Sequence, residues 1–114
     1  MSTRKNETIT SDVLTKEIAN WVEQDSENPG AWNMFILVTL KKLKYDYNVT
    51  MQYLSQITKD QFDFICEAFD EVVHHFQKIE MIEHIESLYQ NFYGNDKDTD
   101  LYRENIAILR ACIK

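Results

Sequence analysis

The chain has 114 residues with a formal net charge of −7, and 44% of its residues are hydrophobic. This length suits one domain, and the apolar fraction argues against wholesale disorder. Two glycines and one proline are too few for the many tight turns of a β-sandwich or barrel. We therefore expect an all-α fold, with residues 1–10 as a flexible N-terminal segment and residues 11–114 as a single helical domain.

The negative charge is concentrated in the second half of the chain. Residues 1–57 hold six basic and seven acidic side chains, whereas residues 58–114 hold six basic and twelve acidic ones. Such a surface repels nucleic acid and anionic membranes, and it attracts basic proteins. We therefore expect no nucleic-acid or membrane partner; the alternative is that the acidity only keeps the domain in solution.

The compartment signals agree with a cytoplasmic protein. The N-terminal residues are not followed by an apolar segment, so no signal peptide is visible. The longest apolar run, residues 34–40, is too short to cross a bilayer. Cys66 and Cys112 stand at core-like spacings, so we expect two reduced packing residues rather than a disulfide.

The first half of the chain predicts two helices and a shorter one. The first is predicted over residues 11–24, where apolar residues recur at helical spacing. Asn28 suits an N-cap and Pro29 suits a first helical position, so a second helix is predicted over residues 29–43. It is apolar nearly all round, which predicts the central, most buried element. A short helix is predicted over residues 49–56.

The second half begins with the clearest helix start, a capping box of Thr58 and Gln61 with Ile57 and Phe62 as a hydrophobic staple. This helix is predicted to run to residue 75 or 76, where a tight turn leads into a helix that ends at Gly94. We expect the two to pack as an antiparallel pair, with a single helix of about 34 residues as the alternative.

After a polar loop over residues 95–98, a last helix is predicted over residues 99–112. Its predicted inner side consists of Leu101, Asn105, Ile108, Leu109 and Cys112. The prediction is thus a bundle of five main helices and one short helix, and the paired helices resemble HEAT-like stacking.

The helix that starts at residue 59 has two different faces. One is an apolar stripe that includes Cys66 and predicts a core. The opposite face carries five carboxylates and an aromatic side chain, and two carboxylates on the next helix extend it. We call these eight residues the acidic face: Asp60, Asp63, Phe64, Glu67, Asp70, Glu71, Glu80 and Glu83.

No folding requirement seen in the sequence explains the acidic face, which favours a contact surface. An aromatic anchor such as Phe64, surrounded by carboxylates, has the expected form of a binding hot spot. The alternative is that Phe64 packs under a neighbouring helix.

No catalytic motif is visible, so we expect neither enzymatic activity nor a cofactor. Glu71 and His74 have the Glu-x-x-His spacing of di-iron bundles, but the second pair that such sites require is missing. Paired Cys-x-x-Cys, His-Glu-x-x-His and glycine-rich phosphate loops are absent. Cys66 and the neighbouring histidines are predicted on opposite sides of their helix, which excludes a nucleophile and base pair.

Residues 53–64, 69–77 and 82–92 combine a Phe-rich acidic helix, a His-His-Phe-Gln turn and a second amphipathic helix. This combination of features resembles the small all-helical immunity proteins of bacterial polymorphic toxin and contact-dependent growth inhibition systems. The resemblance implies a cytoplasmic inhibitor that binds one cognate toxin domain, often a basic nuclease, and blocks its active site. It carries over no catalytic residues, and binding positions vary within the family, so the acidic face depends on the surface argument alone.

The leading hypothesis is therefore an immunity protein, acting as a monomer or weak dimer. Two alternatives stay open. One is a general helical adaptor or oligomerisation module. The other is a metal-binding bundle that uses Glu71, His74, Glu80, Glu83 and His84.

Overall fold

A computed structural model of the chain describes residues 9–94 and 99–114, without the side chains of residues 99–102. Its regular elements are all helical over the described residues, which confirms the all-α fold class. The chain divides into two compact units, unit 1 (Met1–Ile57) and unit 2 (Thr58–Lys114). Residues 1–8 of the predicted flexible segment and the predicted loop over residues 95–98 lie outside the described residues. The assignment of residues 11–114 to one domain stays a prediction.

Unit 1 contains α1 (Ser11–Asp25), α2 (Ala31–Val38), α3 (Leu40–Leu43) and α4 (Tyr47–Leu54). The hydroxyl of Thr10 accepts a hydrogen bond from the N–H of Val13 and caps α1. The carboxylate of Asp46 caps α4 in the same way, so the short helix begins two residues earlier than predicted. Both caps satisfy backbone donors that a helix start leaves unpaired.

The predicted second helix is wrong in three respects. The Asn28 side chain accepts from the N–H of Gly30, which makes a turn, and the helix begins only at Ala31. The helical run is divided at Thr39 into α2 and α3. It is also not buried all round, since Leu37 is 70% exposed. An apolar helix buries only the sides that neighbouring elements cover, and hydrophobicity alone does not supply the cover.

A network of polar side chains surrounds Thr39, the residue between α2 and α3. The buried Thr39 hydroxyl accepts from the indole N–H of Trp21 at 2.8 Å and donates to Glu17 at 2.7 Å. The other carboxylate oxygen of Glu17 pairs with Lys42 at 2.7 Å. Every polar atom of this chain of contacts therefore has a partner, which is what burial requires.

Unit 2 contains α5 (Lys59–Ile65), a 3-10 turn (Cys66–Ala68), α6 (Phe69–Phe76), α7 (Ile79–Tyr93) and α8 (Thr99–Ala111). The predicted cap is confirmed, because the Thr58 hydroxyl accepts from the N–H of Gln61 at 3.2 Å. The predicted uninterrupted helix to residue 76 is wrong, since the 3-10 turn separates α5 from α6. Cys66, the first residue of this turn, was predicted on the core face but is only half-buried.

The predicted turn after residue 76 is confirmed, and α6 and α7 are separate helices. Gln77 adopts the left-handed conformation, with φ of 56° and ψ of 44°. The chain reverses at this turn, as the contacts of the Phe62 ring in α5 with Tyr89 and Phe92 near the end of α7 show. Gly94 ends α7 as predicted, with φ of 55° and ψ of −121°, a conformation open to glycine because it has no Cβ atom.

The inner side of α8 differs from the prediction. Ile108 is 53% exposed, whereas its neighbour Ile106 is only 5% exposed and belongs to the core. Leu109 is buried, as predicted. The side chain of Leu101 lies outside the described residues. The helix therefore buries a face that is rotated from the predicted one.

Candidate functional site

The acidic face is distributed over α5, the 3-10 turn, α6 and α7, and most of its carboxylates reach solvent. Asp70 and the phenyl ring of Phe64 are half-buried. Among the described residues, no lysine or arginine pairs with Asp60, Glu67, Glu80 or Glu83. The exposed members are Asp60, Asp63, Glu67, Glu71, Glu80 and Glu83.

Asp63 forms a hydrogen bond and an ion pair within unit 2. It accepts a hydrogen bond from the hydroxyl of Tyr93 and forms an ion pair with Lys59 at 3.3 Å. The ammonium of Lys59 also lies 4.5 Å from the centre of the Tyr93 ring. Burial and then the bond to Asp63 raise the pKa of the Tyr93 hydroxyl above its usual range. This cluster ties α5 to the end of α7, so Asp63 has a structural role.

The burial of Phe64 is intermediate between the two predicted alternatives, an exposed anchor and a residue packed under a helix. It is half-buried in α5 and already takes part in interactions within the chain. It is therefore neither a fully exposed anchor nor a fully buried core residue, and its contribution to binding stays a prediction.

Four of the eight residues of the acidic face lie in the first turns of helices, where a carboxylate stabilises the helix. This differs from the expectation that folding does not require the acidic face. Asp60 lies in the first turn of α5, Asp70 and Glu71 lie in the first turn of α6, and Glu80 lies in the first turn of α7. A carboxylate there is stabilised by the unpaired N–H groups and the helix dipole. Glu67 lies at the start only of the three-residue 3-10 turn, and Glu83 lies at no helix start; neither forms an ion pair among the described residues.

A cleft of about 170 Å³ brings two members of the acidic face together with α7 and α8. Glu80 and Glu83 do not line it. We call its buried residues Phe69, Tyr89 and Leu109 the floor, and its carboxylates Glu67 and Asp70 the rim. The lining includes Glu67, Phe69, Asp70, Tyr89, Asn105 and Leu109.

One hydrogen bond within the cleft joins α8 to α7. The side-chain amide of Asn105 donates to the hydroxyl of Tyr89 at 3.0 Å. This bond satisfies a half-buried polar group and links the two helices at the cleft. The carboxylate of Asp70 accepts from the backbone N–H of Glu71 at 2.9 Å, which holds Asp70 at the rim.

Burial and nearby carboxylates raise the pKa values of the two thiols near the cleft. Burial, followed by the charges of Glu67 and Asp63, raises the pKa of Cys66 to about 11. Burial and then the charge of Asp70 also raise the pKa of Cys112. Both cysteines are free, and a raised pKa keeps them protonated and poorly nucleophilic near neutral pH.

The sequence did not predict this cleft, because α8 forms one of its sides from about 40 residues further along the chain. Leu109 was predicted only as an inner residue of the last helix. Asn105 carried the available signal: a polar side chain on the predicted inner side of a helix needs a partner, and here the partner lines a cleft.

The other candidate chemistry finds no support in the described residues. His74 and His75 are exposed, and no three His, Cys, Asp or Glu side chains of the described ranges are grouped closely enough to hold a metal ion. Within the same ranges, no helix combines the length and the apolar character that crossing a bilayer requires.

Comparison with known proteins adds no relative. No family model matches the chain, and neither the curated proteins nor the solved structures provide a match. The functional argument therefore depends on the residues of this chain alone.

Proposed function

We propose that this protein is an immunity-type inhibitor, which acts in the cytoplasm by binding a basic toxin domain through the acidic face of unit 2. The toxin that suits this surface best is a nuclease, whose substrate groove must be basic in order to hold phosphates. The inhibitor would occlude that groove and would perform no chemistry of its own.

One observation carries the proposal: exposed carboxylates without ion-pair partners extend along unit 2. Asp60 and Glu67 lie on α5 and the 3-10 turn, and Glu80 and Glu83 lie on α7; none pairs with a cation among the described residues. The starts of α-helices account for Asp60 and Glu80, but not for Glu67 or Glu83. Charges of one sign that are not neutralised internally attract and orient an oppositely charged partner.

The mechanism would be competition for cationic side chains. Lysines and arginines in the groove of a nuclease bind phosphate oxygens, and carboxylate oxygens offer the same groups a charge-assisted hydrogen bond. Burial of the groove under unit 2 would exclude the substrate. The free energy of binding would depend on a few desolvated contacts at the centre, while the outer carboxylates would mainly raise the association rate.

The test is a capture experiment in the native host. The tagged protein and a variant with Asp60→Asn, Glu67→Gln and Glu71→Gln are used as baits, and bound proteins are identified by mass spectrometry. We expect the parent to retain one basic protein at one to one and the variant to lose it. The captured domain should then stop growth when it is expressed alone, and coexpression of this protein should restore growth.

A matched control removes the same charge from unit 1. Glu23→Gln, Asp25→Asn and Glu27→Gln change exposed positions at and after the end of α1. This control should capture the basic protein as the parent does. Equal loss by both variants would indicate a net-charge effect, and capture of several unrelated proteins by the parent would favour the adaptor alternative.

A further inference from the structure

The cleft of unit 2 includes two residues of the acidic face, Glu67 and Asp70. Its volume, about 170 Å³, is below the range of about 300–1,000 Å³ that pockets for drug-sized ligands occupy. A space of this size suits one long side chain rather than a whole small molecule. Its occupant is therefore best sought on a protein partner.

The floor of the cleft suits an aliphatic stem. Phe69, Tyr89 and Leu109 are all buried in the unit 2 core and present apolar atoms to the cleft. The hydroxyl of Tyr89 is already hydrogen-bonded by Asn105, so it does not leave an unsatisfied polar atom at the floor. Methylene groups laid along this floor would lose contact with water and contribute hydrophobic free energy.

The rim suits a cationic head group. Glu67 and Asp70 are three positions apart in the sequence and both line the cleft, and neither pairs with a lysine or arginine of the described residues. Arg110 of α8 pairs with Glu86. Burial, and then the charges of nearby carboxylates that include Glu67 and Asp70, raise the pKa values of Cys66 and Cys112 beside this rim.

We propose that the cleft between the 3-10 turn, α6 and α8 is a binding site for one arginine side chain of the basic partner. Arginine fits better than lysine, because its planar guanidinium can reach two carboxylates at once and loses less hydration on burial. Arginine is also enriched in the centres of protein interfaces, where lysine is depleted. This inference deepens the proposed function and rests on it, since the partner must supply the arginine.

The test uses butylguanidinium as a probe of the arginine head and stem. It is titrated into the ¹⁵N-labelled full-length protein, and amide shifts are followed by two-dimensional NMR. We expect saturable shifts at Cys66, Asp70, Asn105 and Leu109. Butylurea, which has the same shape without the charge, should give none, and butylammonium should bind more weakly.

Two matched charge variants separate the cleft from general electrostatics. Glu67→Gln with Asp70→Asn should raise the apparent Kd of butylguanidinium about tenfold, whereas Glu80→Gln with Glu83→Gln should change it less than about twofold. Should the double cleft variant fail to fold, Glu67→Gln alone changes an exposed position and should raise the Kd about threefold. The absence of saturable shifts, or equal effects of the two pairs, would overturn the site.

The outcomes also distinguish this inference from the proposed function. No probe binding in a protein that still captures a basic toxin would overturn the arginine site and leave the inhibitor function standing. Probe binding in a protein that captures only unrelated partners would overturn the function and keep the cation site. Cleft shifts that depend on protein concentration without probe would identify a second copy as the occupant, against a foreign arginine.

Discussion

At the scale of single residues, the neighbours of Cys66 decide its chemistry. Its thiol lies at the end of α5 and donates a weak hydrogen bond to the carbonyl oxygen of Asp63 at 3.4 Å. Burial favours the neutral form, and the negative charges of Glu67 and Asp63 oppose the thiolate further, so the pKa rises to about 11. Cys66 thus has a weakly nucleophilic thiol.

This environment predicts slow alkylation of Cys66. In a Cys112→Ser background at pH 8, the native thiolate fraction should be about 100-fold lower than for an ordinary thiol, and iodoacetamide should react correspondingly slowly. Unfolding in guanidinium should restore the ordinary rate. Glu67→Gln should speed the native reaction, because it removes one of the charges that raise the pKa. Equal native and unfolded rates would contradict the assigned environment.

At the scale of elements, one side chain organises the turn between α6 and α7. The amide of Gln77 donates to the carbonyl oxygens of His74 at 2.8 Å and Cys112 at 2.7 Å, while its oxygen accepts from the N–H of Lys114 at 2.8 Å. It thereby connects the turn to the chain end after α8. The same residue has a left-handed backbone, which costs a non-glycine residue about 1–2 kcal/mol.

Two substitutions separate these opposed contributions. Gln77→Ala should lower the free energy of unfolding by about 1–3 kcal/mol, because it removes the hydrogen bonds and keeps the backbone strain. Gln77→Gly should be about 1 kcal/mol more stable than Gln77→Ala, because glycine relieves that strain. Urea unfolding followed by circular dichroism measures both values. An alanine variant at least as stable as the glycine variant would contradict the left-handed turn.

At the scale of the whole molecule, the charge asymmetry matters more than the net charge. Residues 58–114 contain twelve acidic and six basic side chains, whereas residues 1–57 are nearly balanced. A positively charged partner should therefore approach the second half of the chain preferentially, and added salt should weaken this steering.

Charge reversal tests the steering with the captured partner. Glu67→Lys with Glu71→Lys should slow association about tenfold at low salt and flatten its dependence on ionic strength. Glu23→Lys with Glu27→Lys makes the same change of net charge in unit 1 and should slow association less. Stopped-flow fluorescence at several salt concentrations measures these rates. A parent rate that does not respond to salt would exclude electrostatic steering.

Local sequence signals predicted the features of this protein that depend on local physics. The low glycine and proline content predicted helices, while Thr58 and Gly94 marked helix ends, since capping involves only a few neighbouring residues. The exposed carboxylates of the acidic face were also predicted, because helical periodicity separates them from the apolar stripe. Hydrophobicity did not predict the exposure of Leu37 or the break at Thr39, which depend on what packs against α2.

The amino-acid sequence by itself determined that this chain is helical, where several of its helices begin and end, and that its negative charge lies in the second half. Only the tertiary structure decided which face of α8 is buried, that Tyr93 binds Asp63, and that Glu67 and Asp70 share a cleft. The physical reason is the range of the interactions. Propensity, capping and charge act within a few residues, whereas burial and clefts depend on which distant element covers a surface.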